Sequence, residues 1–155
     1  MDKTNAMRIL DEMSVFYDVH TYDAEETDGQ KVAALVGLEA ERVFKTLVTV
    51  GSDRKNYVFV IPVVCTLDLK KAARAANVKS VEMLKQKELF PLTGYVHGGC
   101  SPVGMKKKFS TYFDETAELY EKIAVSGGRK GMQIELSPQD IIRATDGQYA
   151  DLTAL

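Results

Sequence analysis

The stretch Val43-Phe44-Lys45-Thr46-Leu47-Val48-Thr49-Val50 carries a single charged residue near its start. The other residues are mostly β-branched or apolar, which predicts a β-strand. On a two-residue period, Lys45 shares its face with Val43 and Leu47. Both faces are largely apolar, so we expect an interior strand that carries a partly enclosed ammonium. Such a group costs free energy unless it finds an anionic or polar partner.

The segments around this strand predict an α+β fold. A polar turn at 51–56 and an apolar run at 57–61 complete an antiparallel hairpin. Hydrophobic spacing, capping residues and turn residues predict the other elements. We expect helices at 4–13, 30–36, 68–76, 80–84 and 137–144, and strands at 15–22, 111–113, 123–125 and 132–136. The prediction is one domain over residues 1–155, a mixed, mainly antiparallel, barrel-like sheet with flanking helices.

Composition narrows the classes of function. The chain has 155 residues, two cysteines and a formal net charge of −2 at pH 7. Any contact with nucleic acid must therefore come from a local basic patch. No apolar run is long enough to span a membrane, and the polar start of the chain does not resemble a signal peptide. Two cysteines form no recognisable disulfide framework. We therefore expect a cytoplasmic protein.

Two glycine-rich turns, at 93–104 and 126–131, are the next candidates for chemistry. Glycine pairs allow backbone N–H groups to approach a ligand oxygen closely. Neither turn matches a phosphate loop or a dinucleotide fingerprint. Lysine and arginine residues flank both turns, at 106–108 and 129–130, where they suit either a solvated face or the rim of a pocket for a polyanion.

Nucleophile and metal signatures are weak in this sequence. Cys100 follows His97 by three residues, but catalytic cysteine–histidine pairs are made by the fold rather than by adjacency. His20, Cys65, His97 and Cys100 lack paired-ligand spacing for zinc. No GxSxG motif is present. We therefore expect neither a metal nor a cofactor, and a cysteine hydrolase of a small molecule remains an alternative.

Five motifs together resemble the YbaK/EbsC family of aminoacyl-tRNA deacylases, which is related to the editing domain inserted in bacterial prolyl-tRNA synthetases. They occur in the family's order and at similar spacing. They are Val43-Phe44-Lys45-Thr46-Leu47, Leu67-Asp68-Leu69-Lys70-Lys71, Thr93-Gly94-Tyr95, Gly98-Gly99-Cys100-Ser101-Pro102-Val103-Gly104 and Val125-Ser126-Gly127-Gly128-Arg129-Lys130-Gly131. The resemblance covers nearly the whole chain and is strongest to the free-standing Cys-tRNA(Pro) deacylase branch.

The resemblance implies a set of site residues. Lys45 and Gly99 take the catalytic positions: Lys45 fixes the terminal nucleotide or the aminoacyl group, and backbone N–H groups near Gly99 hold the carbonyl oxygen. The implied substrate-binding residues are Tyr22, Lys45, Thr46, Gly98, Gly99, Ser126 and Gln133. Two positions depart from the family pattern. Gln133 stands where some members carry aspartate, and Asp28-Gly29 stands where some carry a pocket aromatic.

The implied reaction cleaves the ester between a mischarged amino acid and the 3′-terminal adenosine of tRNA, a step in translation quality control. An ester has a competent leaving group, so positioning and oxyanion stabilisation suffice without a protein nucleophile. For a cysteinyl substrate, the resemblance implies that the thiol of the cysteine attacks the carbonyl carbon of its own ester. The tRNA is expelled, and the cysteine is released as a cyclic thiolactone. The implied substrate is Cys-tRNA(Pro), with Cys-tRNA(Cys) as a second one, and the implied partner is prolyl-tRNA synthetase.

Two further alternatives stay open from the sequence. In the first, the chain is a deacylase of the same kind that removes a different small amino acid from tRNA, such as alanine or serine. In the other, the chain is a non-catalytic nucleotide- or RNA-binding regulator that kept the pocket, which predicts binding without turnover.

Overall fold

The computed structural model describes residues 2–154. Its α-helices are each eight residues long: α1 (Asn5–Glu12), α2 (Gly29–Val36), α3 (Leu69–Ala76), α4 (Gln86–Thr93) and α5 (Pro138–Thr145). Two 3₁₀ turns cover Ala40–Arg42 and Glu115–Leu119. The strands are β1 (Asp18–Thr21), β2 (Phe44–Gly51), β3 (Asn56–Pro62), β4 (Thr66–Leu67), β5 (Val81–Met83), β6 (Ser110–Asp114), β7 (Ile123–Ser126), β8 (Met132–Leu136), β9 (Gln148–Ala150) and β10 (Thr153–Ala154).

The strands form a larger and a smaller sheet and one additional pair. The larger sheet has the order β5-β2-β3-β6-β9, the smaller one β1-β8-β7, and β10 pairs with β4. Strand β2 pairs antiparallel with β3, so the predicted hairpin is confirmed. Only β3–β6 and β6–β9 are parallel among residues 2–154. The predicted mixed, mainly antiparallel α+β fold is therefore confirmed.

The predicted barrel-like sheet is not closed. Within the described part of the chain, a single parallel bridge between Val43 and Ala124 links the two main sheets, which otherwise remain separate. A continuous apolar core fills the space between them. It includes Phe44 of β2, Ile123 of β7 and Ile134 of β8, all nearly or fully buried. Side-chain packing rather than a closed hydrogen-bond ladder therefore joins the sheets.

Burial on both faces explains why β3 is apolar throughout. Val58 and Val60 belong to the core between the sheets, while Phe59 and Ile61 belong to a second core. Helix α3 contributes to that second core through alanines such as Ala72. Successive strand residues point to opposite faces, so a strand between two cores needs apolar residues at every position.

The predicted helix at 80–84 is wrong, because Val81–Met83 forms strand β5. It pairs antiparallel with the end of β2, where Thr49 lies opposite Met83, and Leu84 N–H donates to the Val48 carbonyl. The exposed edge of β2 supplies backbone partners that outweigh the weak local preference for a helix. The helix begins a few residues later, as α4.

The same pairing leaves part of β2 open, and this positions the site. Strand β3 accompanies β2 over its whole length, but β5 pairs only with Thr49–Gly51. Apart from the bridge at Val43, residues 44–47 have no strand partner on that side within 2–154. A cavity opens along this edge. Consecutive residues of β2 line it, including residues whose side chains point to opposite faces of the sheet.

Candidate active site

A cavity of about 310 Å³ lies at the open edge of β2. It collects most of the residues that the sequence predicts for a site. Tyr22, Lys45, Thr46, Gly98, Ser126 and Gln133 all line it. Gly99 does not, although its neighbours Gly98 and Cys100 do. The predicted residues therefore come together in space from five separate segments of the chain.

Lys45 is half-buried at the cavity and has no ion-pair partner among residues 2–154. The half-buried acid Glu135 already has two partners. One of its oxygens lies 2.9 Å from His20 Nε2, and the other accepts from Arg42 at 3.2 Å. Glu82, another acid on a neighbouring strand, is exposed on β5. The ammonium is thus available to an oxygen of a ligand rather than used in the fold.

Ser126 and Gln133 are held by the smaller sheet. They lie opposite each other in the β7–β8 pair, and Gln133 also lies opposite His20 of β1. Ser126 Oγ accepts a hydrogen bond from the Gly128 N–H at 3.2 Å. Strand pairing on both sides of β8 fixes the backbone beneath Gln133, so this wall of the cavity is rigid.

Tyr22 stands just after β1, where its N–H donates to the Gly131 carbonyl at 2.9 Å. Its hydroxyl lies 3.5 Å from Gln133 Nε2, which is at the outer limit of a hydrogen bond. The second glycine-rich turn therefore anchors the tyrosine backbone, while the phenol faces the cavity.

Gly99 is required where the two glycine-rich turns pack against each other. A Cβ at this position would lie 2.7 Å from Lys130 N and 2.8 Å from the Arg129 carbonyl carbon. The Gly99 N–H itself donates to the Val96 carbonyl at 2.9 Å. Among residues 2–154, no acceptor is found for the N–H groups of Gly98 and Cys100 on either side. Gly99 thus allows the close approach, and its two neighbours present the free donors.

Cys100 is a poor candidate for a nucleophile. It is 9% exposed, and burial raises the pKa of its thiol to about 12, against a smaller opposing effect of a hydrogen bond with Thr93. His97 lines the same cavity but is exposed and makes no hydrogen bond to Cys100 within the described residues. A thiol with a raised pKa stays protonated at neutral pH, which disfavours the cysteine hydrolase.

We expect Cys100 to resist alkylation in the folded protein and to be dispensable for activity. Iodoacetamide at pH 8 should modify Cys65, which is half-buried, and reach Cys100 only after unfolding. Mass spectrometry of native and denatured protein measures this. Cys100→Ser should change turnover less than about twofold, since it removes no charged or exposed group. Rapid native labelling of Cys100, together with a folded but inactive Cys100→Ser variant, would revive the cysteine hydrolase.

Helix α4 supplies a wall that the sequence did not reveal. Leu89 of this helix lines the cavity, and so do Val63 after β3 and Val32 of α2. No sequence signal predicts α4 at this position, because Pro91 lies inside it and its amphipathic pattern is short. Asp28 also lines the cavity, but its carboxylate caps α2 by accepting from the Lys31 N–H.

Basic residues lie near the rim of the cavity. Lys130 lies beside the first glycine turn, since its Cγ would be 3.8 Å from a Cβ added to Gly98. Arg129 donates to the Asp2 carbonyl, and Lys106 donates to the Pro91 carbonyl beside the exposed ring of Phe90. Of the two predicted basic clusters, only 129–130 is thus placed beside the cavity, because Lys107 and Lys108 line a separate cavity and Lys108 pairs with Asp146.

Within 2–154, no group of three or more His, Cys, Asp or Glu side chains is arranged to hold a metal ion. No helix in the same range is long and apolar enough to cross a membrane.

Residues 24–144 match the family model of the aminoacyl-tRNA editing domain. The chain belongs to this family. A relative from Enterococcus faecalis is 48% identical over 153 residues, which is 97% of this chain and 93% of the relative. Its name, EbsC, is that of a candidate Cys-tRNA(Pro)/Cys-tRNA(Cys) deacylase. The resemblance to the YbaK/EbsC family is therefore confirmed.

Solved structures show the same fold. A candidate trans-editing enzyme for prolyl-tRNA synthetase superposes with a TM-score of 0.86 at 28% identity, covering 100% of both chains. The hypothetical protein APE2540 superposes with a TM-score of 0.89 at 23% identity, covering 97% of this chain and 100% of its own. At 23% identity, the likeness to APE2540 establishes only that the two proteins share a fold.

Proposed function

We propose that this protein is a trans-editing aminoacyl-tRNA deacylase that clears cysteine from tRNA(Pro), with Cys-tRNA(Cys) as a second substrate. The observation that carries the proposal is the Lys45 ammonium, which faces a cavity of about 310 Å³ without an anionic partner in residues 2–154. The editing-domain family and the name of the E. faecalis relative support the substrate class. We propose that residues 1–155 act as one catalytic domain in the cytoplasm.

In this proposal, the aminoacyl group occupies the buried end of the cavity and the terminal adenosine occupies its open end. Lys45 binds an oxygen of the aminoacyl ester or ribose, and the free N–H groups of Gly98 and Cys100 hold the carbonyl oxygen as charge develops on it. Gly99 acts by holding these two donors in place. The supporting feature is that Lys45, Gly98 and Cys100 all line one cavity.

The bond changes need no protein nucleophile. The substrate's thiol sulfur forms a bond to the carbonyl carbon, the bond from that carbon to the ribose oxygen breaks, and the thiol proton ends on the released hydroxyl of tRNA. The amino acid leaves as a thiolactone. Holding thiol and carbonyl together inside the cavity supplies the positioning on which such a reaction depends. The protonated state of Cys100 is consistent with a bystander role.

We propose that prolyl-tRNA synthetase is the partner. A net charge of −2 gives this chain little general attraction for tRNA, and the basic residues near the cavity form only a local patch. A synthetase that already holds tRNA(Pro) would supply the missing affinity. One structural relative is described as a trans-editing enzyme for prolyl-tRNA synthetase, which supports this choice.

The test is a panel of labelled Cys-, Ala-, Ser- and Pro-tRNA incubated with the protein, with and without prolyl-tRNA synthetase. We expect the ester of Cys-tRNA(Pro) to be lost first and the synthetase to lower the protein concentration required. Faster loss of Ala- or Ser-tRNA would reassign the substrate. Binding of aminoacyl-tRNA without loss of any ester would favour the regulator.

A further inference from the structure

An exposed phenylalanine stands next to the wall of the cavity. Phe90 directly follows Leu89 in α4, and Leu89 lines the cavity. The side chain of Phe90 is nevertheless 56% exposed. Val96, which directly precedes the cavity residue His97, is 42% exposed. The fold thus leaves large apolar side chains unburied one residue away from the lining of the cavity.

Lys106 holds a positive charge against the ring of Phe90. Its Nζ lies 5.5 Å from the centre of the ring and donates to the Pro91 carbonyl at 3.3 Å. The ammonium makes no ion pair in the described part of the chain. Lys106 Cγ would lie 3.3 Å from a Cβ added to Gly94, which is three residues before His97. Three residues span at most about 11 Å, a distance that a few nucleotides cover.

An aromatic ring with a free lysine beside it suits single-stranded nucleic acid. Bases stack on aromatic side chains whatever their sequence, because every base has a flat π-face. Lysine side chains contact the phosphates that join the bases. The unpaired cation of Lys106 therefore makes a polyanion a better match for this surface than an apolar protein segment.

We propose that Phe90 stacks against an unpaired base of the tRNA acceptor end, close to the terminal adenosine, while Lys106 contacts a neighbouring phosphate. The inference rests on the proposed function, in which the adenosine occupies the open end of the cavity. The nucleotides before the adenosine must then leave the cavity and cross the surface beside it. Phe90 is thus a positioning residue that holds tRNA and takes no part in the bond changes.

Phe16 provides the matched control, because it repeats the arrangement at Phe90 away from the cavity. It is 70% exposed, and Lys122 Nζ lies 5.5 Å from the centre of its ring. Phe16 precedes β1, and Lys122 precedes β7. The cavity residues Tyr22 and Ser126 stand at the opposite ends of these two strands. An acceptor end seated in the cavity should therefore not depend on Phe16.

The test compares two substrates in the absence of the synthetase: Cys-tRNA(Pro) and 3′-cysteinyl-adenosine, which lacks the preceding nucleotides. Each is assayed with wild type, Phe90→Ala, Phe90→Tyr and Phe16→Ala, and thermal melting confirms that each variant folds. Phe90→Ala should raise the KM for Cys-tRNA(Pro) about tenfold, in line with the loss of one base–aromatic stack, and leave kcat within about twofold. The KM for cysteinyl-adenosine should stay unchanged. Phe90→Tyr keeps an aromatic face, so it should match wild type, as should Phe16→Ala.

An abasic substrate tests for the stack itself. In this Cys-tRNA(Pro), the unpaired nucleotides before the adenosine keep their sugars and phosphates but lack their bases. Wild type should show a KM about tenfold higher for this substrate than for the intact one. Phe90→Ala should add no further penalty, since the ring and the base are partners in one contact.

Three outcomes would overturn the inference. An equal rise in the KM for cysteinyl-adenosine would show that Phe90 supports the cavity wall. Additive penalties from Phe90→Ala and the abasic substrate would show that the ring does not contact a base. A penalty that arises only after prolyl-tRNA synthetase is added would assign Phe90 to a contact between proteins.

Binding separates this inference from the proposed function. If wild type cleaves neither substrate, the proposed function fails. Fluorescence anisotropy with a labelled, uncharged acceptor-end oligonucleotide and its abasic counterpart then decides the role of Phe90. Tighter binding of the intact oligonucleotide, lost in Phe90→Ala and kept in Phe16→Ala, would support stacking. Equal binding of both oligonucleotides by wild type would overturn it.

Discussion

Replacing Lys45 with alanine is expected to slow deacylation of Cys-tRNA(Pro) about 100-fold or more. Lys45 lines the cavity and makes no ion pair within residues 2–154, and loss of one preorganised group that stabilises developing charge typically costs a factor of about 10² to 10³ in rate. The fold should survive, since Lys45 makes no ion pair that the substitution would break. Single-turnover ester loss, with thermal melting alongside, measures both effects.

Lys55→Ala provides the matched control, because Lys55 is an exposed lysine in the turn of the same hairpin. It should deacylate at the wild-type rate. Lys45→Arg keeps the charge but changes its shape, so we expect intermediate activity. Full activity in folded Lys45→Ala would remove Lys45 from the mechanism and with it the central support for the proposed function.

The central hairpin and the helix after it could be predicted from the sequence, because short stretches of residues indicate each of them. The run at 57–61 is apolar at every position, and the structure places it between two cores. Asp68 precedes a helix and caps it by accepting from the N–H groups of Lys70 and Lys71. Lys45 was recognisable as an anomaly because a charged residue in such a strand needs a partner.

The open edge of β2 could not be predicted, because it depends on where another strand stops. Local preference favoured a helix at 80–84, and tertiary pairing with Thr49–Gly51 made it a strand instead. That short pairing exposes residues 44–47 to the cavity. The part of the cavity wall that Leu89 forms could not be predicted either. Its helix, α4, contains a proline and has only a weak amphipathic pattern.

The role of Gly99 illustrates a similar limit. A glycine pair in a sequence indicates a turn or a close approach, but it does not say which group approaches. The structure shows that Gly99 faces the backbone of the second glycine turn, whereas the resemblance implies a catalytic position beside the carbonyl oxygen of the substrate. A contact between segments about 30 residues apart in the chain leaves no local pattern to read.

Gly99→Ala should therefore destabilise the protein and reduce activity together. The new Cβ would meet backbone atoms of Arg129 and Lys130 at 2.7–2.8 Å, and backbone cannot move aside as a flexible side chain does. Overpacking of this kind costs about 1–3 kcal/mol. For a chain of this length, that corresponds to a melting temperature lower by about 3–10 °C. Deacylation below the melting transition should also fall, because the two glycine turns must separate and shift the free N–H donors of Gly98 and Cys100.

Gly37→Ala separates this steric effect from the general cost of replacing a glycine. Gly37 ends α2 with φ of +75°, and nothing lies within 4 Å of the position of its Cβ. The substitution should cost about 1–2 kcal/mol through backbone strain alone and leave the rate of deacylation unchanged. Circular dichroism melting and single-turnover assays compare the two variants. Wild-type activity in Gly99→Ala would show that the packing of the glycine turns does not set the geometry of the carbonyl donors.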